Sequence, residues 1–260
     1  MNDEKQIWYL IKFFKEKEHA EQFMSGSLYM NRLSYFKTVE NGDDGRFDTN
    51  EAVSHWWQPK GLILKINTPG TGEIIITDKD LAAPVAMSLE LYDDYHIFCM
   101  YALWTDGFEC IGGKIEYDNN ESEKLKSQLK IDERCFKFGD YAVVVPAVQF
   151  IERTRQTITR INKTARLNLV RYLDGNKFNG EVKISEIPFS KLNEFSYQNE
   201  FRICLDNQTK GKDSFTLQIG SIKEFSAMVQ SSNLNELFNI ESIKAESNKL
   251  ASSVYVNQSS

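Results

Sequence analysis

The stretch FSYQNEFRICL, residues 195–205, joins a polar start to an apolar end. Gln198, Asn199 and Glu200 lie near its start, and the remainder has the β-branched and aromatic content typical of a strand. Arg202 follows Glu200 by two positions, so the two side chains would share one face of that strand. The pattern predicts a strand whose polar end holds either a reactive carboxylate or an ion pair at a sheet edge.

Strand-like segments recur along the rest of the chain. They are IWYLIKFF (7–14), SLYM (27–30), LILKI (62–66), EIIIT (73–77), VAMSLELY (85–92), HIFCMYALW (96–104), DYAVVVP (140–146), LNLVRYL (167–173), EVKISEI (181–187) and SFTLQI (214–219). Helical composition is found in KEKEHAEQFM (15–24), ESEKLKSQLK (121–130) and VQFIERTRQTITRI (148–161). Many short strands with helices at the front and middle favour an α+β fold, a mixed β core with flanking helices, over a doubly wound parallel sheet. We expect one domain over residues 1–243 and a polar, flexible tail over 244–260.

Charge, cysteine content and apolar runs limit the classes of protein to which the chain can belong. The 260 residues carry a formal net charge of −6, so contact with a nucleic acid would need a local basic patch. The four cysteines, at positions 99, 110, 135 and 204, are unevenly spaced in apolar runs, which favours reduced, buried thiols over disulfides. The first residues lack a secretory leader, and no apolar run approaches the ~18 residues of a membrane span. The expected location is the cytoplasm.

A local basic run lies between Glu152 and Asp174, where no acidic residue occurs. Its members are Arg153, Arg155, Arg160, Lys163, Arg166 and Arg171. One interpretation is a surface that binds a nucleic-acid backbone. The other is a solvated helix face that offsets nearby acidic loops.

Familiar catalytic motifs are absent from the sequence. GTGEII (70–75) has only two glycines of a dinucleotide fingerprint, and neither a phosphate-binding loop nor a serine nucleophile elbow is found. His96 and Cys99 are the one pair at ligand-like spacing, and a core histidine with a buried thiol explains them better than a metal. In the loop NGDDGRFDTNEA (41–52), Asp48 and Glu51 have the spacing of a helix capping box. A capping box would explain these two residues but not Arg46.

The order of these elements resembles the ADP-ribosyltransferase fold, and most closely the DarT-type and CmdT-type toxins that modify nucleic acids in phage defence. The resemblance rests on the strand IWYLIKF, a helix ending at Gly26, the strand SLYM, the loop residue Arg46 and the downstream element NEFRI (199–203). It covers residues 7–51 and 195–205, and only the architecture in between. Gln198 and Glu200 also form Q-x-E, the pairing seen in several protein-directed ADP-ribosyltransferases.

The resemblance implies a reaction with NAD as substrate and no metal. Glu200 would be the catalytic glutamate, Gln198 would orient the acceptor, and Arg46 would grip the diphosphate. Lys12 or Tyr9 stands near the place of a histidine common in this family. The family also implies a cognate antitoxin and a chaperone as partners.

Chemistry agrees with a single catalytic carboxylate. Cleavage between nicotinamide and ribose passes through an oxocarbenium-like state, and nicotinamide leaves as a neutral molecule that needs no proton. One glutamate can then stabilise the positive charge. The sequence leaves three functions open: an ADP-ribosyltransferase toxin acting on RNA or DNA, an ADP-ribosyltransferase acting on protein, and a non-catalytic nucleic-acid-binding sensor module of a defence system.

Overall fold

The computed structural model describes residues 5–38, 48–70, 72–108, 110–111, 114–117, 120–238 and 252–255. The first strands are β1 (Gln6–Phe14), β2 (Ser27–Arg32), β3 (Val53–Trp57), β4 (Ile63–Thr68), β5 (Gly72–Thr77), β6 (Val85–Ser88), β7 (His96–Thr105), β8 (Cys110–Ile111) and β9 (Lys114–Tyr117). The later strands are β10 (Tyr141–Pro146), β11 (Thr164–Leu169), β12 (Arg171–Leu173), β13 (Gly180–Glu181), β14 (Ser190–Leu192), β15 (Glu200–Asp206), β16 (Phe215–Gln218), β17 (Ala227–Gln230) and β18 (Ser252–Tyr255).

Helices are fewer and mostly short. The α-helices are α1 (Lys17–Met24), α2 (Leu33–Thr38), α3 (Ser122–Leu129), α4 (Ala147–Arg160) and α5 (Leu234–Leu237). Short 3-10 helices span Glu90–Tyr92, Glu133–Phe138, Ile184–Phe189, Asn193–Gln198, Lys223–Phe225 and Ser231–Asn233. The described chain is thus α+β, as its pattern of short strands predicts.

A mostly antiparallel sheet forms the centre, with strands in the order β11-β15-β7-β1-β10-β17. β2 adds to this sheet by pairing with β7, and β16 pairs with β2. The segment 200–206 is therefore a central strand, flanked by β11 and β7, and not the sheet edge that its polar start suggested. Burial on both faces explains why β15 is apolar as far as Leu205, apart from Glu200 and Arg202.

Both faces of the central sheet are covered. On one face, Phe23 of α1 and Phe150 of α4 pack against strand residues such as Phe201 and Ile203. On the other face, α3 contributes Leu125 to a second cluster. Because side chains alternate along a strand, Glu200 and Arg202 project from the face opposite Phe201 and Ile203.

Smaller sheets surround this core. β12 and β14 pair in parallel, β3 pairs with β6 and β13, β4 pairs with β5, and β9 pairs with β8 and β18. β18 lies in the segment that sequence predicts as a flexible tail, and the rest of that segment is outside the described residues. The capping-box prediction was wrong: residues 49–52 form turns, and β3 follows Glu51 where a helix was expected.

Two further expectations concern cysteines and membranes. Cys99, Cys135 and Cys204 are free thiols, as expected, and the Cys110 side chain is outside the described part of the structure. His96 and Cys99 lie on opposite faces of β7 because three positions separate them, so they do not converge on one ligand. Within the described ranges, no helix combines the length and apolar content required to cross a membrane.

Candidate functional site

A cavity of about 980 Å³ opens where two strands separate along one edge of β7. β1 pairs with β7 as far as Ile11 opposite Tyr101, and β2 takes over with Asn31 opposite Ile97. The β7 residues in between, 98–100, are left unpaired on this edge and line the cavity. The divergence of two strands therefore creates the space.

Lys12 lies at the point of divergence. Its Nζ donates a hydrogen bond to the carbonyl oxygen of Cys99 at 2.7 Å and lies 4.5 Å from the centre of the Phe98 ring. Lys12 lines the cavity, as the prediction of a ligand contact requires. Tyr9 lies on the opposite face of β1, packed against the ring of Phe238, and does not line the cavity. Arg46 lies outside the described residues.

The turn that leads into β15 explains the order Gln198, Asn199, Glu200. Asn199 has a left-handed backbone with φ of 43°, which asparagine tolerates better than most residues. Its amide donates to the carbonyl of Ala102 and accepts from the indole of Trp104, each at 2.6 Å. Asn199 thus fixes the chain to β7, and Gln198 and Glu200 both face the cavity.

Four buried charged side chains form one cluster in the wall of the cavity: Glu51, Lys191, Glu200 and Arg202. Glu200 accepts from Lys191 through Oε1 at 2.6 Å and from Arg202 through Oε2 at 2.8 Å. Glu51 accepts from Arg202 through Oε1 at 2.8 Å. Two acids and two bases cancel, which is how a protein interior tolerates so many charges.

Strained backbone flanks both carboxylates of this cluster. Ala52 follows Glu51 with φ of 56°, and Asn199 precedes Glu200 with φ of 43°. A buried alanine in the left-handed region costs free energy that surrounding contacts must offset. Such strain is found more often at functional sites than elsewhere.

The charges within the cluster shift each other's pKa values. Burial alone would raise the pKa of Glu200, but Lys191 and Arg202 outweigh it and hold the pKa well below its ordinary value. Burial would lower the pKa of Lys191, yet Glu200 and Glu51 raise it overall. Glu200 is therefore a carboxylate at neutral pH.

The protonation state limits the chemistry available to this site. An ionised Glu200 is not a proton donor, but it suits the stabilisation of a cationic reaction centre. Each carboxylate oxygen has two lone pairs, and the ion pairs described above use one on each. A ligand hydroxyl could therefore add a further hydrogen bond without displacing Lys191 or Arg202.

The predicted nucleic-acid-binding residues do not form one continuous surface. Arg153 pairs with Glu224 at 3.0 Å, and Arg171 pairs with Glu186 at 3.1 Å. Lys163 donates to the carbonyl of Asn207. Part of the positive charge is thus neutralised within the protein.

The remaining three arginines are exposed, on two faces of the sheet. Arg155 and Arg160 belong to α4, which covers the face with Phe150. Arg166 lies opposite Cys204 in the β11–β15 register, and its guanidinium lies 4.9 Å from the ring centre of Phe189 on the other face. A ligand that bound all three would have to pass around the edge strand β11.

Sequence reasoning missed Glu51 as a site residue and missed Lys191 altogether. Glu51 lies in a polar, glycine-punctuated loop, where an acidic residue is ordinary. Lys191 is a single charge between the buried residues Phe189 and Leu192, and this local contrast was the available signal. No protein-family model, curated protein or solved structure matches the chain.

Proposed function

We propose that the protein is an NAD-dependent ADP-ribosyltransferase with an ADP-ribosyltransferase-like core, and that a nucleic acid is its acceptor. One observation carries the proposal: Gln198, Glu200 and Lys12, selected from the sequence by their resemblance to that family, line a single cavity. The volume of about 980 Å³ falls within the range of small-molecule and cofactor sites. Lys12 and Glu200 come from separate strands, so chain proximity does not explain why both line this cavity.

In the proposed reaction, the bond between C1′ of the ribose and the nicotinamide nitrogen breaks. Nicotinamide leaves with the bonding electron pair as a neutral molecule, and positive charge develops on the ribose. The Glu200 carboxylate stabilises this charge and accepts a hydrogen bond from a ribose hydroxyl. A lone pair of the acceptor then forms the new bond to C1′, and the acceptor loses a proton to solvent.

Positive groups are assigned to the diphosphate of NAD. Lys12 lines the cavity outside the buried ion cluster, and the family resemblance assigns the same task to Arg46. Gln198 would orient the acceptor. The same resemblance proposes a cytoplasmic toxin of a toxin–antitoxin pair in phage defence, with an antitoxin and a chaperone as partners.

The test is transfer of label from NAD radiolabelled in the adenylate phosphate. Purified protein is incubated separately with total RNA, single-stranded DNA, duplex DNA and a protein extract. We expect labelled polymer that nuclease, and not protease, destroys. Release of nicotinamide measured without acceptor separates NAD cleavage from transfer. Absence of both activities with every acceptor would reject the proposal, and protease-sensitive label would make the acceptor a protein.

Glu200→Gln is the decisive variant because it keeps the shape of the side chain and removes the charge. We expect transfer to fall by about 10²-fold or more. Glu181→Gln is the matched control, since Glu181 is 76% exposed and lies outside the cavity lining. Both variants are checked by thermal unfolding, because Glu200 also belongs to the buried ion cluster.

A second function is favoured by a different feature of the same cluster. Both carboxylate oxygens of Glu200 already accept from Lys191 and Arg202, as in a purely structural ion cluster. The protein would then be a non-catalytic nucleic-acid-binding sensor. Charge reversal of Arg155 and Arg160 would abolish its function while Glu200→Gln preserved it, and the opposite pattern would exclude this candidate.

A further inference from the structure

Lys191 has the environment of a side chain with a defined task. It is 3% exposed, and its ammonium has three N–H donors. Three acceptors surround it: Gln198 Oε1 at 2.9 Å, Glu200 Oε1 at 2.6 Å and Glu51 Oε2 at 3.5 Å. One ammonium therefore contacts both polar residues of the Q-x-E element and the remote carboxylate of Glu51.

The strand that carries Lys191 also fixes the backbone of Glu200. Lys191 of β14 lies opposite Tyr172 in the parallel β12–β14 pair. The Tyr172 hydroxyl accepts a hydrogen bond from the Glu200 backbone N–H at 2.9 Å. The small parallel sheet thus contacts Glu200 at two points, at its backbone through Tyr172 and at its carboxylate through Lys191.

We propose that Lys191 is a positioning residue, which holds the side chains of Gln198 and Glu200 in one orientation toward the cavity. The inference rests on the proposed function, in which Gln198 orients the acceptor and Glu200 stabilises the developing charge. A single ammonium shared by both side chains fixes their relative geometry. Lys191 itself makes no contact with the reacting atoms in this assignment.

Arg202 has a different set of acceptors. It donates to Glu200, to Glu51 and to the carbonyl of Pro188, whereas the ammonium of Lys191 bridges Glu200 and Gln198. Loss of Lys191 would leave Glu200 in contact with one cation, Arg202. It would also remove the charged donor that Gln198 and Glu200 share. The expected defect is in the orientation of the Gln198 and Glu200 side chains and in the pKa of Glu200, and not only in the stability of the fold.

Several charged or titratable groups face Glu200 and must be considered in any pH experiment. They are Lys191 of β14, Arg202 of β15, Glu51 of the loop before β3, Tyr172 of β12, Cys99 and Tyr101 of β7, and Cys135 of a 3-10 helix. Only Lys191 and Arg202 are cations in this set. Removal of Lys191 therefore raises the pKa of Glu200 toward or above its ordinary value, because burial is then opposed by Arg202 alone.

The experiment compares Lys191→Met with the double variant Lys191→Met/Glu51→Gln. The single change leaves the cluster with one excess negative charge, whereas the double variant keeps its net charge at zero. Lys37→Met is the matched control: Lys37 is a mostly buried lysine paired with Asp93, outside the cavity lining. Thermal unfolding of each variant identifies those that fold.

For the folded variants we expect kcat for NAD-dependent transfer to fall by about 10²-fold, with a much smaller change in KM. The acidic limb of the pH–rate profile should move to higher pH in both Lys191 variants and stay in place in Lys37→Met. A lysine that only supported the fold would leave kcat of the folded double variant near the wild-type value, whereas the loss of its charge moves the limb in either case. Wild-type kcat in the double variant, or an unmoved limb, would overturn the inference.

A readout without catalysis separates this inference from the proposed function. The side-chain carboxyl of Glu200 is followed by ¹³C NMR across a pH titration and assigned by loss of its signal in Glu200→Gln. A titration that moves to higher pH in the double variant supports the role of Lys191 even if the wild-type protein never consumes NAD, a result that would reject the proposed function alone. An unchanged titration rejects the positioning role even if the enzyme is active.

Discussion

Glu51 and Arg202 form a buried ion pair although 151 positions separate them in the chain, with Arg202 Nη1 2.8 Å from Glu51 Oε1. Arg202 is 1% exposed on a central strand, so its charge requires an anion inside the protein. Glu51 supplies that anion from the turn before β3. This contact joins the front of the chain to the strand that carries Glu200, and both of its residues line the cavity.

Removal of Glu51 should therefore destabilise the protein strongly. Glu51→Ala leaves Arg202 and Lys191 with one fewer anion in the interior, and we expect the free energy of unfolding to fall by about 3–5 kcal/mol. Urea unfolding followed by tryptophan fluorescence measures this change. The exposed Glu181 is the control, since Glu181→Ala should change stability by less than about 0.5 kcal/mol. Equal effects of the two substitutions would contradict a buried ion pair.

Asp48 predicts a pH-dependent stability with a defined sign. Burial, together with repulsion from Glu51, raises the pKa of Asp48 to about 6. The folded state then holds a proton that the unfolded state has lost, so this contribution to stability is present below about pH 4 and is lost as the pH rises toward 6. Asp48→Asn removes the need for that proton.

The measurement is the free energy of unfolding of Asp48→Asn and wild type at several pH values. At pH 8 the variant should be more stable by up to about 3 kcal/mol, and at pH 4 the difference should approach zero. Asn at this position can still accept the hydrogen bond that the backbone N–H of Asn50 donates to Oδ1. A constant difference across this range would show that Asp48 does not titrate as described.

Local sequence pattern was sufficient for most of the central sheet. The predicted strands at 96–104 and 140–146 correspond to β7 and β10, because apolar runs of that length, bounded by turn residues, fit strands buried on both faces. The amphipathic segment 148–161 likewise forms α4, with Phe150 and Ile158 toward the sheet. In such segments, the local preference and the tertiary environment favour the same structure.

The candidate site was harder to predict from the sequence, because the residues that contact one another in it are distant in the chain. Gln198 and Glu200 were selected through a short element, but the buried cation Lys191 belongs to a three-residue strand without a periodic pattern. Asp48 and Glu51 have the spacing of a helix cap, yet the pairing of Glu51 with Arg202 decides the local structure. Tertiary ion pairing therefore overrode the local pattern at this loop.

The two exposed arginines of α4 should contribute more to nucleic-acid binding than the paired ones. Arg155→Glu/Arg160→Glu removes two charges that have no acidic partner in the described residues, whereas Arg153 and Arg171 already pair with acids. We expect the double variant to reduce the slope of log affinity against log salt by about 0.9 for each phosphate of duplex DNA that the protein no longer neutralises. Fluorescence anisotropy with labelled RNA and DNA measures this slope.

The matched double variant is Arg153→Glu/Arg171→Glu. A larger decrease of the salt slope in that variant would contradict the prediction.

Two buried thiols, Cys135 and Cys204, and the partly buried thiol of Cys99 should react slowly while the protein is folded. Burial raises the pKa of Cys99, Cys135 and Cys204 to about 12 in each case, so thiolate at pH 7.5 is about a thousandfold scarcer than for an ordinary cysteine. In a Cys110→Ser background, labelling by a maleimide should be slow until urea unfolds the protein. Rapid labelling of Cys99 in the folded state would show that the cavity wall opens to the reagent.

Asn199 connects backbone strain to the geometry of the site, and two substitutions separate its contributions. Asn199→Gly keeps a residue that tolerates φ of 43° but removes the hydrogen bonds to Ala102 and Trp104, which should cost about 1–3 kcal/mol. Asn199→Ala removes the same bonds and adds a left-handed alanine, at a further cost of roughly 1–2 kcal/mol. Urea unfolding should therefore rank wild type above the glycine variant and the glycine variant above the alanine variant.

Because Glu200 directly follows Asn199, both variants should also lower NAD-dependent transfer by more than their stability at the assay temperature explains. If the two variants were equally stable, the left-handed turn would not be a source of strain, and full activity in either would show that Glu200 is oriented by β14 alone.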